Sequence, residues 1–440
     1  MTFFLRPVSG LRVTDVLGFA DFELLAVELL LIASIVAIGA RYLRVPHTVA
    51  LVVVGFIISF GRFFDVTLSR DFILLAFLPP MLFEGAINMN LEEMRRRWAQ
   101  VFLLAVPGTL ITAAVVAAAL VAVADLPFKF ALLLAVMLAP TDPVSVLATM
   151  KEHGVSGGLR TLLEGESISN DALGIVLFTI ALSYAFPEEP GRALGWAGAL
   201  REFGKEVAIG LAIGVATGYI VHRLMRLLED HLVEITLSVT LAFGTYLLAD
   251  RLGGSGVLAV VVGGLLIGNY GTYRAMSASS QAAMLEVWEV VAFLLNSALF
   301  LLIGLEFEVR NLGERATATA TIVAAAALLI GRALAVYGLL LPFGFGRTPA
   351  ARKVSGGWRH AIYWGGLRGS IPIALVLGLS AAQRDLGGVD PVAVVFGAVM
   401  LSLVGQGITF APLLGKLRLA TDGGRAQARD PAQGPRRLSR

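Results

Sequence analysis

Four side chains able to offer oxygen ligands stand close together in the stretch Leu163 to Phe178, LEGESISNDALGIVLF: Glu166, Ser167, Asn170 and Asp171. From Ala172 onward the stretch is apolar, so it reads as a membrane helix carrying a charged site. At helical spacing Glu166 and Asn170 lie four apart, as do Ser167 and Asp171, which puts two oxygen-bearing pairs on one side of the helix. A carboxylate at bilayer depth costs roughly 2.5 to 3.5 kcal/mol on insertion scales, and such residues line ion or proton pathways. Asp171 is therefore the first candidate, on a face that can offer a hard cation oxygen alone. Glu164 reads differently, as an acidic residue capping the helix start at the water boundary.

The elements that must position this face are membrane spans. The chain of 440 residues is 57% hydrophobic and 15% charged, a composition far from that of a soluble domain. It predicts an all-α polytopic membrane protein. There is no cysteine, which excludes disulfides, thiolate metal sites and thiol catalysis, and nothing supports nucleic-acid binding. The N-terminal residues lack a short apolar core followed by a small-residue cleavage site, so they read as retained. Runs of about 20 apolar residues mark about thirteen spans, near 22–40, 46–60, 71–88, 99–123, 127–150, 161–186, 204–228, 233–252, 255–270, 287–306, 315–341, 359–380 and 391–414.

Two of these spans are interrupted alike. The fifth breaks at Ala139-Pro140-Thr141-Asp142-Pro143 and the twelfth at Gly365-Gly366-Leu367-Arg368-Gly369-Ser370-Ile371-Pro372. If spans one to six and eight to thirteen are copies of one unit, the breaks are equivalent, and the odd offset of seven inverts one copy relative to the other. That is the pattern of secondary transporters with inverted repeats. Backbone groups freed by proline and glycine are tolerated only where they line a cavity or meet protein. A simple proline kink explains either break alone but not why each also carries a charge.

With the N-terminus outside, the inside loops carry fourteen Lys and Arg, including Arg95, Arg96 and Arg97, and the end of the chain seven more, against twelve outside. The positive-inside rule then puts the C-terminus in the cytoplasm. Residues 421–440 are polar and arginine-rich and predict a disordered cytoplasmic tail that could touch anionic lipid. Gly210, Gly214 and Gly218 in span seven, with Gly264 and Gly268 in span nine, predict close helix-packing faces. His47, His153, His222, His231 and His360 all fall at inside ends or loops, where they read as ordinary interfacial residues or as groups titrating near neutral pH.

Four segments, LPPMLFEGAINMNLEEMRRRW, LAPTDPVSVLATMKEHGV, LLEGESISNDALGIVLF and WGGLRGSIPIALVLGL, run in this order from Leu78 to Leu379. Together they resemble the monovalent cation:proton antiporters of the NhaP and NHE type. Ser169 departs from the family, where an apolar residue is more usual. The resemblance implies a single transporter unit over 1–420 with thirteen spans. Its ion-transporting core would take helices near 71–186 and 287–380, and its dimerisation part those near 22–60 and 204–270. It further implies a homodimer in the plasma membrane of a prokaryote.

Carried over residue by residue, the resemblance makes Asp171 the carboxylate that alternately binds cation and proton, with Asp142 contributing where the broken helices cross. Ser167 and the main-chain oxygen of Thr141 would complete the Na+ coordination, and Glu166 would act directly or through water. Asn170 would hold the unwound region. Arg332, alone in span eleven, would pair with Glu166, since an unpaired arginine there is as costly as the carboxylate. Arg368 would meet carbonyl ends at the second break, and Glu84 would partner either arginine. The resemblance implies exchange of Na+ or Li+ for H+ by alternating access, with no cofactor. Exchange would be electroneutral, because related electrogenic antiporters have two aspartates where this chain has Asn170 and Asp171. Oxygen ligands leave K+ open as the cation. A cation channel on the same scaffold, or an intramembrane aspartyl protease using Asp142 and Asp171, are the alternatives from other classes.

Overall fold

The computed structural model describes residues 19–43, 45–60, 73–142, 144–155, 157–187, 196–227, 230–271, 276–306, 314–344 and 353–419, and among them every regular element is a helix. The predicted tail, 421–440, lies outside the described residues, as does Pro143. In chain order the α-helices are α1 (Phe19–Leu43), α2 (His47–Ser59), α3 (Leu78–Asn88), α4 (Leu91–Leu103), α5 (Thr109–Ala124), α6 (Phe128–Leu138), α7 (Val144–Glu152), α8 (Gly157–Ala185), α9 (Trp196–Met225), α10 (His231–Arg251), α11 (Gly256–Leu266), α12 (Ala278–Glu306), α13 (Arg315–Leu339), α14 (Gly356–Trp364), α15 (Ser370–Leu377) and α16 (Pro391–Lys416). Seven helices among the described residues are long and apolar enough to cross a membrane unaided, and shorter apolar helices lie between them.

Both predicted interruptions are present. Helix α6 stops at Leu138 and α7 starts at Val144, while α14 stops at Trp364 and α15 starts at Ser370. The segment around Arg95–Arg97 differs from its reading as a loop. It is the start of a continuous helical stretch, Leu91–Ala124. Asn90 caps it by accepting the Glu93 N–H at 3.0 Å, and Glu92 and Glu93 pair with Arg96 and Arg97 one turn on. Cap and i,i+4 pairs stabilise a helix whatever its hydropathy. Pro107 sits in a π-turn, Leu104–Gly108, that joins α4 to α5, the local widening that absorbs a missing donor.

The chain folds as two compact units. The first comprises Met1–Asn88, Trp196–Glu308 and Ile373–Arg384. Its helices approach closely at glycines, as the sequence predicts: a Cβ on Gly210 would lie 2.6 Å from Ser255 O, one on Gly214 2.5 Å from Ala259 O, and one on Gly264 2.7 Å from Ala86 Cβ. Gly268 meets Ile87 O in the same way, and Gly55 of α2 and Gly304 of α12 bring those two backbones into direct contact. Fully buried Trp288 donates to Ser238 Oγ at 2.9 Å and packs on Phe83 with ring centroids 4.6 Å apart.

The second unit comprises Met89–Gly195, Val309–Pro372 and Asp385–Arg440. Helices α5 and α13 meet at Gly331, where a Cβ would lie 2.9 Å from Thr112 Cα, and α8 lies on α4 at Gly165, whose Cβ would lie 3.1 Å from Val101 Cγ2. Asp390 caps α16, accepting from Val392 and Ala393 N–H just ahead of Pro391 at the first helical position. This unit holds both breaks and the whole of α8.

Candidate functional site

The two interruptions meet. Asp142 N–H donates to Leu367 O at 2.8 Å, which ties the first break to the second through the main chain. The Asp142 carboxylate accepts from Val144 N–H at 3.0 Å and from Ser370 N–H at 3.4 Å, the first amides of α7 and α15. Helix starts leave such donors unsatisfied, and a carboxylate is the favourable partner there. Gly369 is required at this point, since a Cβ would collide with the Asp142 carboxylate. Arg368, 2% exposed, donates from Nη1 to Ala139 O at 2.5 Å and to Pro140 O at 3.0 Å. Its charge therefore stands at the C-terminal carbonyls of α6, where a cation is favoured. The sequence reading sent Arg368 to the second break's own carbonyls. The observed carbonyls belong to the first break, because crossing brings the other chain segment closer than its own.

Helix α8 supplies the rest. Ser167 Oγ donates to Thr141 O at 2.7 Å. Asn170 uses its whole amide on Thr141, with Nδ2 donating to Thr141 Oγ1 at 2.8 Å and Oδ1 accepting from Thr141 N–H at 3.3 Å. Gly174 lets the helix lie against Pro140, whose ring would clash with any Cβ there. Glu166, 1% exposed, receives both Nη groups of Arg332, Nη2 at 2.9 Å, and Arg332 also donates to Ile362 O at 3.0 Å. Asp171 is 8% exposed and makes no hydrogen bond or ion pair among the described residues. Asp142 lies within electrostatic range of it.

So Asp171, Asp142, Ser167, Thr141, Glu166, Asn170, Arg332 and Arg368 come together in the second unit. Glu84 stands on α3, in the first unit, and accepts from Asn88 Nδ2 at 2.8 Å, whereas the partners of Arg332 and Arg368 are those named above. Glu164 is not a terminal cap. Helix α8 begins at Gly157, two turns earlier, and Glu164 is buried with Arg160 Nε at 2.6 Å. Two supporting residues escaped sequence reading. Ser402 Oγ accepts from Arg368 N–H at 3.2 Å and donates to Gln406 Oε1 at 2.8 Å, and Gln406 Nε2 donates to Trp364 O at 3.0 Å. Their signal was a polar pair four apart in the otherwise apolar α16.

Unpaired oxygens of Asp171, the Asp142 carboxylate, the Thr141 carbonyl and the Ser167 hydroxyl form a set suited to a hard monovalent cation or a proton. The profile described as "Sodium/hydrogen exchanger, transmembrane" matches residues 29–416 of the chain. The chain belongs to the sodium/hydrogen exchanger family. This exchanger is 35% identical to the Na(+)/H(+) antiporter ApNhaP of Aphanothece halophytica over 90% of its own length and 74% of that protein's. It is 34% identical to the Na(+)/H(+) antiporter NhaH of Halobacillus aidingensis, over 92% and 100% of the two lengths. The fold matches the sodium proton antiporter MjNhaP1 of Methanocaldococcus jannaschii with a TM-score of 0.72, covering 90% of the exchanger and 97% of that chain at 20% identity. The family read from the four sequence segments is the one the whole chain belongs to.

Proposed function

We propose that the exchanger trades one Na+ for one H+ at Asp171. The protein is a sodium/proton antiporter of the multi-span membrane class, a transporter and not an enzyme. The observation that carries the site assignment is the lone carboxylate: among the described residues every other buried charge of the cluster has partners, and Asp171 has no hydrogen bond or ion pair. Asp142, Ser167 and Thr141 O complete the Na+ ligands, while both oxygens of Glu166 are taken by Arg332. A site that changes face only when loaded with one or the other ion exchanges them without a further catalyst.

The same reading takes the chain as about thirteen spans in two inverted repeats, with the C-terminus cytoplasmic and the protein in a prokaryotic plasma membrane. Helices near 71–186 and 287–380 would carry the ions, and those near 22–60 and 204–270 would join two copies as a homodimer. Three supports favour this: the paired breaks, seven predicted spans apart in the sequence, the seven basic residues from Lys416 to the end of the chain, and the glycine-lined first unit.

The test is Na+-driven proton movement in proteoliposomes with an internal pH dye. Wild type should alkalinise or acidify the lumen as the Na+ gradient dictates, and Asp171→Asn should reduce the rate to that of empty vesicles while keeping its melting temperature. Wild-type exchange by Asp171→Asn would remove Asp171 from the site. A panel of Na+, Li+ and K+ under the same gradient fixes the cation, with Na+ or Li+ expected to drive exchange.

A further inference from the structure

Away from the ion site, the second unit carries a groove of about 400 Å³ lined by Leu329, Ile330, Ala333, Leu334, Tyr337, Gly338 and Tyr363. It opens on the outer surface of α13 and α14, where Ile330 is 57% and Leu334 55% exposed. The apolar lining runs from the middle of α13 to its last turn. At that end it becomes polar: Tyr337 hydroxyl is 2.7 Å from His360 Nδ1, and its ring lies 5.6 Å from that of Tyr363. Arg359 lies within electrostatic range of Tyr337, packs against Gly344, and has a buried Nε with no hydrogen-bond partner.

The charge at this end is one-sided. Between Glu314 and Asp385 the sequence has no acidic residue, yet Arg347, Arg352, Lys353 and Arg359 follow one another in it between the end of α13 and the first turn of α14. Arg347 and Arg352 lie outside the described residues, Lys353 is exposed, and Val354 N–H donating to Phe343 O at 3.0 Å closes the turn. An apolar groove ending beside Arg359, whose Nε has no hydrogen-bond partner among the described residues, matches one amphiphile, a chain with an anionic head.

We propose that this groove binds one acyl chain of an anionic phospholipid whose phosphate is held by Arg359, with His360 beside it. The volume suits a single chain and not a folded peptide, and the Arg359 Nε, which has no hydrogen-bond partner among the described residues, together with exposed Lys353 selects an anionic over a zwitterionic head. Neither Arg359 nor the groove touches the ion ligands.

Full-length protein stripped of lipid in detergent is given dioleoyl-phosphatidylglycerol or dioleoyl-phosphatidylcholine, and retained lipid is counted by native mass spectrometry. One basic residue near a membrane surface is worth about fivefold in affinity for anionic lipid, so wild type should retain phosphatidylglycerol about fivefold better than phosphatidylcholine. Arg359→Gln should erase that preference and Arg359→Lys should keep it. Gly338→Leu fills the groove where nothing lies within 4 Å of a new Cβ, so it should fold normally and lower retention of both lipids. Equal retention of the two lipids by wild type, an intact preference in Arg359→Gln, or unchanged retention in Gly338→Leu would each overturn the proposal.

Discussion

Asn170 explains why one carboxylate is left alone beside the crossing. Both functions of its amide are spent on Thr141, so it can neither titrate nor neutralise Asp171. Replacing it with alanine would strand the Thr141 N–H and hydroxyl, a loss of about 1 to 3 kcal/mol per buried group. We expect Asn170→Ala to raise the Na+ concentration needed for half-maximal exchange, measured in proteoliposomes, because Thr141 O would no longer be held beside Ser167. The Arg332–Glu166 pair sets a second expectation. Removing one partner of a buried ion pair costs about 3 to 5 kcal/mol, whereas replacing both by apolar groups of like volume is near neutral. Arg332→Ala should therefore lower the melting temperature in detergent far more than Arg332→Met combined with Glu166→Leu. Equal melting for Arg332→Ala and wild type would show that the pair stabilises nothing.

At the scale of the helices, the site depends on how closely α8 lies to the first break. Gly174→Val pushes a branched side chain into the Pro140 ring, and overpacking of this kind costs about 1 to 3 kcal/mol. The expected outcome is a folded protein with exchange reduced well beyond its loss of thermal stability, since Thr141 and Asp142 would be displaced together. The breaks themselves were legible in the sequence because their signal is local: proline or glycine, a charge, and apolar flanks within a few residues. The Arg332–Glu166 pair was expected from the family resemblance and not from the stretch itself, where Glu166 stands between Glu164 and Asp171. Ser402 and Gln406 went unread, because their polar spacing in α16 does not say that they meet the second break, 34 residues earlier in the chain. The helix at Leu91–Trp98 was hidden for another reason. Hydropathy sees only charge there, while the structure is fixed by the Asn90 cap, the i,i+4 pairs, and Arg97 stacked 4.9 Å over Trp358.

For the molecule as a whole, one alternating carboxylate implies no net charge moved per cycle. A membrane potential of 100 mV is worth about 2.3 kcal/mol per charge. The Na+ gradient at which proton flux reverses should consequently stay fixed when voltage is clamped with K+ and valinomycin, and a reversal point that moves with voltage would mean that a second proton is carried. The five histidines stand at helix ends or in short helices, His153 on Thr149 O and His360 on Tyr337. Replacing all five should leave the activity-against-pH curve in place, leaving competition at the site as its source; a displaced curve would assign the pH response to them.

The salt-free end of α6 has a consequence for how the protein is made. Ala139 and Pro140 carbonyls are satisfied by a guanidinium that lies 229 and 228 residues further along the chain. At about 5 to 20 residues per second of synthesis, those carbonyls wait roughly 10 to 50 s in the growing chain before Arg368 is translated. During that interval the first break, once inserted, holds open acceptors, each of which costs several kcal/mol in lipid. A nascent chain stalled before Gly365 should accordingly turn over faster than one released after Lys416, and pulse-chase labelling of the two would measure the interval directly.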